Sequence, residues 1–274
     1  MNRFQKKTPW EKEWELLEKK EKKYLEKRAE KKESALNRFL EEKIPQNLQE
    51  KLDIAFSKAF GVIFDKGIGI IEKTYKKDEL KKSYQVDAYT AALKDDRKSL
   101  RRFSKKAGAA SQKNLLFSGV EGVGLGVLGI GIPDIPIFVG MILKSLYEMA
   151  LHYGFTYESE EEKYFILLII RGALSYGTGL KSVQEQVETY SREEKLPEAY
   201  DREQEIRITA QTLSKELLYM KFLQGIPLVG AVGGVYDAVY LKKILAYGRL
   251  NYQKRFLLKH KNGILREDWN IENV

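Results

Sequence analysis

Three carboxylates stand inside or beside otherwise uncharged stretches: Glu121, Asp134 and Asp237. Carboxylates withdrawn from water attract cations and amines, so a convergent trio would point to a small hydrolase or a metal-dependent enzyme. Asp134 has a simpler reading as a helix N-cap ahead of Ile135 and Pro136. A second set, Lys144, Glu148 and His152, falls at i, i+4 and i+8, which aligns an amine, an acid and an imidazole on one helical face. The same spacing describes the wet edge of a mostly buried helix. Gly124, Gly126 and Gly129 spell the glycine pattern of a dinucleotide loop. Such a loop needs a strand before it and an unbroken helix after it, and Pro133 and Pro136 arrive too early for that. No nucleotide partner is expected.

Cysteine is absent and only His152 and His260 carry imidazoles. Disulfides, thiolate metal sites, a cysteine nucleophile and a multi-histidine metal site are thereby excluded. No catalytic residue and no cofactor is assigned, and the carboxylate trio is the sole metal candidate.

The elements that must position these residues are helices. Charged residues make up 32% of the 274, proline is scarce, and no run alternates as a strand would. Thr8, Pro9 and Glu11 form a capping box that opens a charged helix over 8–43, with Trp10, Trp14, Leu17, Tyr24 and Leu25 as a thin apolar seam. That seam fits a docked arm, or a scaffold that grips another protein. Further helices are expected over 48–75, from Ser159 onward, over 202–224 and over 228–260.

Two apolar segments, 131–154 and 225–248, align without gaps at an offset of 94. Gly131, Ile132, Pro133, Gly140, Leu151, Tyr153 and Gly154 match Gly225, Ile226, Pro227, Gly234, Leu245, Tyr247 and Gly248. Each copy reads as an apolar helix pair bent at Gly-Ile-Pro and ending near Tyr-Gly, where glycine is a natural C-cap. Gly122 and Gly126, like Gly230 and Gly234, have the spacing that lets helix backbones approach closely. Prolines break the first run, leaving an arm of 17 residues up to Gly131 that contains Glu121. The second has only 15 uncharged residues, Phe222 to Tyr236, so neither is a comfortable span of roughly 20. The expected fold is all-α, one multi-helix domain around two glycine-rich apolar hairpins related by a weak internal repeat.

The net charge is +9, and the basic residues crowd beside these segments. Arg97, Lys98, Arg101, Arg102, Lys105 and Lys106 precede the first, and Lys242, Lys243, Arg249, Lys254 and Arg255 lie in or beyond the second. Cations flanking apolar segments suit an anionic membrane surface, and Tyr236, Tyr240, Tyr247 and Tyr252 suit its interface. Nucleic acid is not favoured, because no helix-turn-helix, zinc or aromatic-basic signature accompanies the charge. The N-terminus lacks the apolar core of a signal peptide, so the expected address is cytoplasmic, peripheral on the inner face of the cell membrane.

The order of "GIPDIP" (131–136), "LYEMALHYGF" (146–155), "SEEEKYFILLI" (159–169), "GIPLVGAVGG" (225–234) and "YQKRFL" (252–257) resembles the EcsC family. The resemblance covers 95–260, and 10–95 more loosely. It implies a bacterial accessory protein linked to an ABC exporter, with no defined reaction and no catalytic residues to carry over. The chain then divides into a charged arm (1–45), an EcsC-like helical domain (46–260) and a tail (261–274).

Overall fold

The computed structural model describes residues 7–29, 45–117, 134–223 and 235–261. Among them every regular element is helical and no strand occurs. In chain order these are α1 (Pro9–Ala29), α2 (Gln46–Val62), a π-helical turn (Ile63–Gly67), α3 (Ile68–Glu72), α4 (Lys77–Lys94) and α5 (Arg97–Phe117). They continue as α6 (Asp134–His152), α7 (Glu160–Leu174), α8 (Gly177–Glu193), α9 (Arg202–Leu223) and α10 (Val235–Lys261).

Local chemistry sets several of these ends. At the start of α1 the Glu11 side chain accepts from the Thr8 backbone at 2.8 Å, and Thr8 Oγ1 accepts from the Glu11 amide at 3.2 Å. Ser159 Oγ likewise accepts from the Glu162 amide at the head of α7, where three glutamates face the positive helix end. Gly154, at φ +79°, closes α6 with a paired set of bonds: Phe155 N donates to Ala150 O at 2.9 Å and Gly154 N to Leu151 O at 3.1 Å. A Cβ at 154 would also strike the Tyr84 ring, so shape and backbone both demand glycine there.

The matching glycine of the second segment behaves differently. Gly248 lies inside α10, which runs on to Lys261, so the expectation of two helices that both end at Tyr-Gly fails. A Cβ at 248 would come 3.1 Å from Leu146 and 3.3 Å from Ile169. Here glycine lets α10 settle against α6 and α7; it terminates nothing. The bends themselves, with Gly122, Gly126, Gly131, Pro133, Gly225, Pro227, Gly230 and Gly234, lie outside the described residues. Pro136 is buried in the first turn of α6.

The core forms around α6, α7 and α10. α6 packs against α2, α4, α5 and α10, while α9 pairs with α2 and also covers α7. Being flanked on so many sides, α6 is apolar nearly all round. Ile135–His152 is long and apolar enough to cross a membrane, yet 83% of it is buried within the protein. α1 is no detached arm. Leu17 is buried, Trp10 donates to Leu257 O at 2.8 Å, and Trp10 stacks on Trp14 with ring centres 5.2 Å apart. The apolar seam that could have served a foreign partner therefore lies on α10 and its neighbours.

At the centre of this packing, Arg255 of α10 reaches Glu162 of α7 at 2.8 and 2.9 Å. Both are buried, and Tyr252 adds a third hydrogen bond to the same carboxylate at 2.7 Å. The guanidinium lies 4.0 Å from the centre of the Phe155 ring and 4.4 Å from that of Phe165. Burial is the largest single influence and opposes its charge, but Glu162, Tyr190, Tyr252 and Glu194 together hold the Arg255 pKa above its ordinary value. Replacing Arg255 with Met strands the carboxylate. The expected cost is about 3–5 kcal/mol, read as a lower midpoint in guanidinium denaturation. A midpoint within error of wild type would show that the pair is not structural.

Candidate functional site

The basic residues ahead of the first apolar segment all sit on α5, and two neighbouring helices decide what each can do. Arg97 and Arg101, one turn apart, both point Nε at one carboxylate oxygen of Glu13 on α1, the second at 2.8 Å. Glu13 is only 3% exposed. On the other flank Lys106 meets the buried Asp87 of α4 at 2.5 Å, and Arg102 lies 3.9 Å from it. Two buried acids thus anchor four of the six cations between Arg97 and Lys106 and bind α1 and α4 to α5.

What remains is a cleft of about 760 Å³ between α1, α5 and α10, lined by seven cationic side chains and one carboxylate, Glu13. Lys20 enters from α1, Lys98 and Lys105 from α5, and Arg249 from α10. These four are exposed and form no ion pair with any described residue. Arg249 comes close because residue 108 is glycine: a Cβ there would stand 2.9 Å from its guanidinium nitrogen. Lys242 is exposed on α10 seven residues earlier, hence on the same helical face as Arg249.

Other expected surface cations are engaged elsewhere. Arg255 is buried as described, and Lys254 holds Glu21 of α1 at 2.9 and 3.0 Å. Lys243 lies 3.5 Å from Glu216 and 4.9 Å from the Tyr240 ring centre. Reading these three as part of an anion-facing rim is corrected: each is an internal tie of α10. Lys20 was missed from sequence, since it sits in a mixed Lys/Glu helix whose alternating charge gives no hint of which lysine borders a cleft.

The carboxylate trio is not assembled by anything described. Glu121 lies outside the described residues, and only the helical backbone is described for Asp134 and Asp237. Among the described residues no group of three or more His, Asp or Glu could hold a metal ion.

The Lys144, Glu148 and His152 stripe does line a second cleft, of about 510 Å³, between α6, α5 and the chain leading into α4. Glu148 accepts from Asn114 Nδ2 at 2.5 Å and pairs with Lys144 at 3.2 Å, while Lys144 also donates to Asn114 Oδ1 at 3.0 Å. Asn114 was not singled out in the sequence; nothing local marks it, because its partners come from another helix. Burial first, then the Lys106 charge, lowers the His152 pKa to about 4 despite Asp87. His260 is lowered to about 4 mainly by burial.

The described residues therefore form an all-helical bundle with a strongly basic cleft and an amphipathic cleft. Residues 11–257 match the family model described as the EcsC protein family, and the chain belongs to that family. It is 29% identical over 187 residues to Protein EcsC of Bacillus subtilis (strain 168), covering 67% of this chain and 70% of that one. It is 25% identical over 151 residues to the uncharacterized protein YdbA of the same organism, covering 54% of this chain and 56% of YdbA, little more than half of that relative. No solved structure matches the chain.

Both imidazoles stay neutral in the fold at pH 7 and gain protons near pH 6.5 once unfolded. Because the folded pKa values are depressed, stability is full above about pH 6.5 and falls on acidification toward about pH 4, by up to roughly 3 kcal/mol per histidine. His152→Gln is expected to remove about half of the slope of unfolding free energy between pH 5 and 7, where carboxylates contribute least. An unchanged slope in urea titrations would show that His152 is not buried neutral.

Proposed function

We propose that the protein works as a non-enzymatic helical accessory protein that docks peripherally on an anionic membrane surface. The observation that carries this reading is the α1/α5/α10 cleft, whose cations outnumber its carboxylate sevenfold and include four with no ion-pair partner among the described residues. Anionic headgroups would complete that unspent charge, at about 1 kcal/mol per basic residue near the surface. α4 supplies a second element suited to an interface. Val86, Tyr89 and Leu93 are 63%, 51% and 67% exposed and fall at i, i+3 and i+7, with Lys82 and Lys94 at the two ends of the stripe. An apolar stripe bounded by lysines is the pattern of a helix lying in the headgroup region. The family resemblance adds a partner class, an ABC-type exporter reached from the inner membrane face.

Charge reversal must spare Arg97, Arg101, Arg102 and Lys106, whose buried acids would be stranded. The triple variant Lys98→Glu, Lys105→Glu, Arg249→Glu leaves those ties intact. Wild type is expected to co-sediment with phosphatidylglycerol-containing liposomes, not with phosphatidylcholine alone, and less so as salt rises. The variant should bind on the order of a hundredfold more weakly. Equal recovery of both proteins in the supernatant under every condition would end this reading.

A further inference from the structure

The amphipathic cleft is built from different residues and does not depend on membrane docking. Glu148 is buried, accepts from Asn114 and forms an ion pair with Lys144. Lys144 has three N–H donors and gives one of them to Asn114. His152, 8% exposed and facing the cleft, makes no hydrogen bond to any described residue. As a neutral imidazole it offers one further N–H. Three lysines, Lys76, Lys113 and Lys144, line the cleft against two carboxylates, Glu79 and Glu148, an excess of one positive charge. Leu80 of α4, Ala110 of α5 and Met141 of α6 give it an apolar wall beside Thr74, Tyr75 and Ser145. A volume of about 510 Å³ falls within the usual 300–1,000 Å³ of small-molecule sites.

From these features we infer that the α4/α5/α6 cleft binds a single-chain amphiphile with a carboxylate head, the head on Lys144 and His152 and the chain along Leu80, Ala110 and Met141. A carboxylate gives the His152 imidazole an acceptor and carries one negative charge, which matches the excess in the lining. A phosphate dianion would sit against Glu148 and Glu79, both of which border the cleft. An alkylammonium head would bring a further positive charge against Lys76, Lys113 and Lys144.

The test uses the full chain and titrates dodecanoate, dodecyl phosphate and dodecylammonium, each below its micellar concentration, by isothermal calorimetry. Dodecanoate should bind at least about tenfold tighter than either of the others, the value of one charge-assisted hydrogen bond. Ala110→Trp, which fills the apolar wall, should abolish that binding, and Lys144→Gln should weaken it by about tenfold. The Lys98/Lys105/Arg249 triple variant should bind dodecanoate like wild type. No dodecanoate binding, a preference for either other head, or binding untouched by Ala110→Trp and Lys144→Gln would each overturn the assignment. Should Ala110→Trp fail to fold, a diazirine-bearing dodecanoate on wild type decides the matter. Adducts within 110–114 and 141–152 support the site, and adducts confined elsewhere refute it.

Discussion

Much of the bundle depends on placing one arginine in the dark. Taking Arg255 and Glu162 out of water costs several kcal/mol for each ion, and attraction compensates only with good geometry and satisfied oxygens. Both conditions are met: each carboxylate oxygen accepts from the one guanidinium nitrogen Nη1, Oε1 also accepts from the Tyr252 hydroxyl, and aromatic rings lie against the guanidinium. Glu194, at the end of α8, takes another donor at 2.9 Å. The pair thus fixes where the head of α7, the end of α8 and the last turns of α10 meet. A one-residue slip of α10 would turn Arg255 by about 100° and leave two buried charges without partners.

That fixed rotation distributes the rest of α10. Lys254, the preceding residue, turns toward Glu21 and joins α10 to α1. Arg249, six residues earlier and so roughly 120° around the helix, faces α5 across Gly108. Gln253 borders the same cleft and accepts from Ser104 at 3.4 Å. One helix therefore carries a buried ion pair, an intermediate tie and an open cation on three sides. The basic cleft inherits its shape from an interaction that faces away from it.

The sequence disclosed the parts of the fold whose causes are local. Thr8 with Glu11, Ser159 with its glutamates, and Gly154 after Tyr153 mark helix ends through bonds to residues within a few positions. The all-helical class follows from the same local signals. Gly248 misled because an identical Tyr-Gly pair can end a helix or let a neighbour pack, and only the neighbours Leu146 and Ile169 distinguish the two. The basic residues misled for a similar reason. Arg97, Arg101, Arg102 and Lys106 look alike beside Lys98 and Lys105 until Glu13 and Asp87 are brought to them from α1 and α4. Net charge counts every cation equally, whereas the fold spends some on its own acids and leaves others for a partner. Lys20 and Asn114 were invisible for the converse reason, since their surroundings belong entirely to other helices.

The same distinction explains why the most membrane-like helix is also the most enclosed. α6 meets α2, α4, α5 and α10, so water reaches few of its positions and an apolar sequence follows from protein packing alone. Its polar exceptions are positional. Lys144, Glu148 and His152 recur every fourth residue along the one strip where α4 and α5 part to form the amphipathic cleft. Had α6 been a featureless core helix, apolar side chains along that strip would have closed the gap. A buried carboxyl group held by Lys144 and Asn114, one turn from an imidazole with no partner among the described residues, costs stability that an all-apolar seam would not. Such a cost is most simply explained by something that enters the cleft.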